Sequence, residues 1–196
     1  MLTNPISGSQ KFFRAQNLGS VYGDQILFEY EHLPVGGQWD GFAGQTNQGV
    51  YCGGAGGVFG VKRAPTAPDW WHGGFLFPQG QATTTSRIVV TTDGGGPFGA
   101  PVPFRLIAVD AEVYANTTNI WRGIDLRNGG SNLVWTLEPA VVPAGGYPDI
   151  GQPRYTQATT GSFTNTITEI QIFNSDAGWN NRYDNFVITT NVPATP

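Results

Sequence analysis

Cysteine occurs once in these 196 residues, at Cys52, so no disulfide can close within the chain. Stability must come from the core, from bound ions or from neighbouring subunits. Cys52 stands in GVYCGGAGG with no histidine pattern around it, which reads as a small buried thiol and not an activated one. Charge is scarce as well. Asp, Glu, Lys and Arg make up 12% of the chain, about half the usual share of roughly 25%. The net charge is −4, the only lysines are Lys11 and Lys62, and the arginines are scattered from Arg14 to Arg182. A nucleic-acid binder needs a basic stripe to displace counterions from phosphates, so no nucleic-acid partner is expected. The same lack argues against an anionic membrane surface, and no apolar run approaches the ~20 residues of a membrane-spanning helix.

Catalytic signatures are missing too. There is no G-x-S-x-G elbow and no H-E-x-x-H helix, and His32 and His72 do not have the spacing of metal ligands. The stretch GGAGGVFG misses the dinucleotide fingerprint because Phe59 falls where the third glycine is needed. The chain therefore reads as non-enzymatic. A glycoside hydrolase stays open as an alternative, since two of the 14 acidic residues at a suitable separation would supply its chemistry.

What the chain has is glycine (28), proline (14) and aromatic rings (13%). The first two interrupt any long helix, and the apolar period is two residues, not 3.6. In DQILFEYEHL, Ile26, Phe28 and Tyr30 face inward while Glu29 and Glu31 face water. RIVVTT (87–92) is a short β-branched strand. PFRLIAVDAEVY places Phe104, Leu106 and Ala108 on one face and Arg105, Ile107 and Val109 on the other, as in a central strand covered on both sides. NIWRGIDLRNGGSNLVWTLE is a hairpin turning at Asn128-Gly129-Gly130, with Ile120, Ile124 and Leu126 packed near Leu133, Trp135 and Leu137. TITEIQIFN and RYDNFVITT supply two more strands. With KFFRA and GGFLF, about nine strands form one domain over 1–196, an all-β antiparallel sandwich of jelly-roll type. Residues 34–72 show little alternation, and residues 139–161 read as a long loop.

The stretches PFRLIAVDAEVY, ITEIQIFN and YDNFVIT, with WDGF upstream, resemble a family of bacterial secreted β-sandwich domains found ahead of PEP-CTERM sorting tails. The resemblance spans Trp39 to Thr190. It implies a jelly roll similar to galactose-binding and other carbohydrate-binding modules, in an extracellular setting. The chain lacks the family's C-terminal apolar sorting helix, so anchoring by that route is not expected. Jelly-roll carbohydrate modules often hold one structural calcium between an early strand and the last one. The matching oxygen ligands here are Glu29 or Glu31, Asp184 and Asp110. The plainer alternative is that Asp184 accepts backbone amides at its strand.

Sugar-binding candidates follow from the rings. Asp69-Trp70-Trp71-His72 combines flat indoles, which stack on the C–H faces of sugars, with side chains that bind hydroxyls. Trp39-Asp40 and Trp179-Asn180 repeat the combination. The competing reading is that these rings cap the sandwich or bury against another subunit. Asn116-Thr117-Thr118 matches the N-glycosylation sequon, which matters only in a eukaryotic secretory host.

Two functions compete. The first is a structural or decorating protein on an extracellular or viral particle, whose partners are neighbouring subunits. The opening MLTNPISGSQ has neither the charged nor the apolar region of a secretory signal, and particle assembly followed by lysis needs none. This reading expects the termini and residues 139–161 in subunit contacts. The second is a lectin-like module that binds glycans on the Trp-rich loop.

Overall fold

Thirteen strands form among the residues that the computed structural model describes: 24–29, 44–55, 58–63, 74–79, 85–92, 95–114, 119–142, 154–174 and 181–192. In chain order they are β1 (Gln25–Phe28), β2 (Gly44–Asn47), β3 (Val50–Gly54), β4 (Val58–Arg63), β5 (Gly74–Gln79), β6 (Thr85–Thr92) and β7 (Arg105–Tyr114). After them come β8 (Asn119–Asp125), β9 (Asn132–Leu137), β10 (Val141–Val142), β11 (Arg154–Thr156), β12 (Glu169–Asn174) and β13 (Asn181–Thr189). The only α-helix among the described residues is the single turn α1 (Gln157–Thr160), capped by Thr156 and ended by Gly161 at φ 66°. No described helix is long and apolar enough to cross a membrane.

Two sheets result. Sheet B runs β2-β3-β6-β12-β8-β9. Sheet A runs β10-β7-β13-β5-β4, with β1 also on β13 and β11 also on β7. All pairings are antiparallel except the short parallel one between β10 and β7. The chain crosses repeatedly between the sheets, so the architecture is an all-β sandwich.

The alternation read from sequence supplies the core. Ile26 and Phe28 of β1, Leu106 of β7, and Phe186 and Ile188 of β13 face Cys52, Ile88, Val90, Ile170 and Ile172 of sheet B. Each large side chain buried this way contributes about 1.5–3 kcal/mol. At the centre, Trp121 meets Tyr183 edge-on at 4.7 Å and stacks with Phe186 at 6.1 Å. Tyr183 and Phe186 are three positions apart, so in a regular strand they would face opposite sides. A bulge reconciles them: β13 carries an extra residue between Asp184 and Val187, and Asn185 takes φ 50°.

The same irregularity corrects one expectation. Val109 does not face away from Leu106. Both lie in the core, together with Ala111, because the β7–β13 register shifts twice between Asp184 and Ile188. The hairpin forms as its turn residues require, with Gly129 at φ 74°. However, Leu126 and Leu133 are 43% and 57% exposed and do not pack inward. β8 turns Trp121 into the core and Ile120, Ile124 and Leu126 to the other face, and an extra residue on β9 between Leu133 and Trp135 turns Leu133 out with them. Residues 139–161 are not one loop, for they contain β10, β11 and α1. Residues 34–72 likewise hold β2, β3 and β4. Cys52 is buried, as read from its surroundings. The termini and Tyr30 lie outside the described residues.

Candidate functional site

A groove of about 360 Å³ opens on the face of sheet B turned away from sheet A. Strand alternation builds its floor. Ile88 and Val90 of β6 point into the core, so Arg87, Val89 and Thr91 point out. Ile170 and Ile172 do the same for β12, which turns Glu169 and Gln171 outward beside them.

One wall is the segment from Gly95 to Pro103. Its 3₁₀ turn, Gly96–Phe98, starts the return of the chain along β6. Thr92 N–H then donates to the Ala100 carbonyl at 3.0 Å, and Val102 N–H to the Val90 carbonyl at 2.9 Å. Pro101 falls between these bonds, opposite Thr91, where an antiparallel pair needs no N–H. The Thr91 hydroxyl ties the turn down by donating to the Gly96 carbonyl. Pro97, Pro101 and Pro103 thus present rigid apolar rings to the groove. The other wall is Leu126 and Arg127, at the start of the β8–β9 turn.

Arg87 is the polar anchor. Its Nε donates to the Ala55 carbonyl at 2.9 Å and its Nη1 to Glu169 Oε2 at 3.2 Å. Glu169 Oε1 accepts from Gln171 Nε2 at 2.7 Å, so the carboxylate is held from both sides. The Arg87 side chain is still 45% exposed, against 5% for Glu169. Arg127 is fixed by Asp125. Nε and Nη2 donate to the two carboxylate oxygens at 2.9 and 2.8 Å, and the Arg127 backbone N–H to Oδ1 at 3.0 Å. That guanidinium holds the Asp125 carboxyl below the usual carboxylate range, against the opposing effect of burial. Both guanidiniums are therefore held in place by their own partners, and holding them costs no further side-chain freedom.

The residues singled out from sequence fall differently. Asp69, Trp70, Trp71, His72, Trp39, Asp40, Trp179, Asn180 and Glu31 all lie outside the described residues. Asp110 and Asp184 do come together, paired across β7 and β13. Asn185 Nδ2 donates to Asp110 Oδ2 at 2.7 Å, and its backbone N–H to Asp184 Oδ1 at 2.7 Å, so Asp184 does accept a backbone amide. Glu29 immediately follows β1, which pairs with β13. Among the described residues no three His, Cys, Asp or Glu side chains form a group that could hold a metal.

Sequence reasoning passed over Arg87, Glu169 and Arg127. The available signal was an outward arginine in RIVVTT and an outward glutamate in TITEIQIF, opposite charges on strands of matching alternation. No family model, no curated protein and no solved structure matches the chain. The resemblance to secreted β-sandwich domains rests on its short motifs alone.

Proposed function

We propose that this chain is a non-catalytic carbohydrate-binding domain of the decorating or adhesive kind, displayed outside a cell or on a virion surface. The observation that carries the reading is the groove over β6 and β12. It combines a pre-fixed, half-exposed guanidinium at Arg87 with walls of proline and leucine. Saccharides present both features that such a groove matches: oxygen-rich edges for planar hydrogen-bonding groups and apolar C–H faces for rigid rings. A cavity of about 360 Å³ accommodates one or two sugar residues. The test is a glycan array followed by ligand-observed NMR on each hit, with Arg87→Ala alongside. Binding that the substitution abolishes, in a protein whose melting stays cooperative, is the expected result. Binding unaffected by Arg87→Ala would move the site elsewhere, to the Trp-rich segment around Trp70 and Trp71.

A purely structural decorating role, with neighbouring subunits as partners, is the second reading. It is favoured by the exposure of Phe98 (78%) beside the groove and of Leu133 (57%) on the neighbouring hairpin. Single exposed apolar side chains are normal on a protein surface, whereas several around one cleft, here with the groove's own Leu126, are typical of contact sites.

A further inference from the structure

We infer that the groove selects acidic saccharides, with a sugar carboxylate seated on Arg87 and Arg127. This deepens the carbohydrate reading above and depends on it. The argument is an inventory of hydrogen-bonding capacity among the side chains that line the groove. Five are polar: Arg87, Thr91, Arg127, Thr168 and Glu169. The acceptors among them, Thr91, Thr168 and Glu169, are all buried. Glu169 receives Gln171 on one oxygen and Arg87 on the other, and its side chain is only 5% exposed. The Thr168 hydroxyl accepts from Leu126 N–H at 3.1 Å and donates to the Ile124 carbonyl at 3.2 Å. The Thr91 hydroxyl donates to the Gly96 carbonyl, and the residue is buried beneath that turn. Asp125, behind Arg127, has both oxygens taken by that residue.

The donors are in the opposite condition. Arg87 spends Nε and one N–H of Nη1, which leaves Nη2 with no bond among the described residues. Arg127 spends Nε and Nη2, which leaves Nη1. Arg87 lines the cavity on its floor and Arg127 on one wall, and apart from the buried Thr91, Thr168 and Glu169 the remaining lining residues are apolar. A neutral sugar hydroxyl placed here could accept from an arginine, but its own proton would meet only buried side-chain acceptors. A carboxylate is a pure acceptor and matches the planar fork of a guanidinium. The two resident carboxylates bring the groove to neutrality, so the ligand joins existing ion pairs, and its binding falls with salt.

The experiment is isothermal titration of the wild-type chain with paired probes. The pairs are a galacturonic acid trimer against its carboxyl-reduced counterpart, and sialyllactose against lactose. The acid of at least one pair should bind tenfold or more tighter than its neutral partner, since bonds to charged acceptors are the strong ones. That binding should weaken several-fold between 50 and 500 mM NaCl. Glu169→Gln, which removes the competing charge beside Arg87, should tighten the acid relative to its neutral partner. Equal affinity for acid and neutral partner, or no response to salt and to Glu169→Gln, overturns the selectivity and leaves the carbohydrate reading standing. No binding to any of the four probes overturns both.

Discussion

The Trp135 indole lies flat over Gly123 of the neighbouring strand, so close that a Cβ on Gly123 would fall inside the 3.0 Å that real Cβ atoms keep from the ring. The ring also packs edge-on against Phe163 at 4.9 Å, which limits its room to shift. Gly123→Ala should therefore destabilise the fold by about 1–3 kcal/mol, the usual cost of overpacking. Urea denaturation with an unchanged m-value checks this. Stability within a few tenths of a kcal/mol of wild type would show that the ring can move.

Asn119 joins two rings of the core. Its Oδ1 accepts from Trp121 Nε1 at 2.6 Å and its Nδ2 donates to Tyr183 Oη at 2.6 Å. Tyr183→Phe leaves that amide donor buried and unpaired, at a cost of about 1–3 kcal/mol. Asn119→Leu removes the polar centre but strands Trp121 Nε1 and Tyr183 Oη together, so it should cost more than Tyr183→Phe. Paired thermal melts rank the two variants.

Alkali should unfold the protein through the same phenol. Burial raises the Tyr183 hydroxyl far above the ordinary tyrosine range, with Asn119 and Trp121 only partly opposing it. The native state therefore keeps a proton that the unfolded chain loses near pH 10. The stabilisation is fully present below that pH and falls as the pH rises above it. Stability measured from pH 8 to 11 should decline more steeply for wild type than for Tyr183→Phe. Tyr155, also raised by burial, contributes a residual slope to both.

At the acid end the sign is reversed. The Arg127 guanidinium lowers the Asp125 carboxyl, so this pair contributes stability above pH ~4 that is lost as the pH drops through the lowered native value. Asp125→Asn should flatten the acid limb between pH ~5 and 2 while leaving the alkaline limb untouched. An unchanged acid limb would show that the pair adds nothing in solution.

How much of this was legible before the structure depends on the range of the signal. Ile26 and Phe28 declare themselves by local alternation and are in the core, whereas RIVVTT and TITEIQIFN read as strands without showing which face Ile88, Val90, Ile170 and Ile172 would take. Val109 departs from its expected face because it lies beside a register shift, which belongs to the pairing of two strands rather than to either sequence, and Leu126 because Trp121 and not Ile120 takes the core side of β8. The two- and three-residue strands β10 and β11 are too short to show any period. The groove was illegible for a related reason. Arg87 and Glu169 are 82 positions apart and meet only because β6 and β12 pair in one register. The tryptophans that attract the eye, Trp70 and Trp71, lie in the segment with least alternation, outside the described residues.

The position of β13 has a consequence for how the protein is made. It is synthesised after every other strand among the described residues, yet it sits in the interior of sheet A, bonded to β7 on one side and to β1 and β5 on the other. Until the ribosome has delivered Asn181–Thr189, three earlier strands have no common partner and the sandwich cannot close. A nascent chain stalled short of this point carries the apolar faces of Ile26, Phe28 and Leu106 uncovered. During that interval they are open to aggregation, and chaperone capture or rapid completion of translation decides the yield of folded protein.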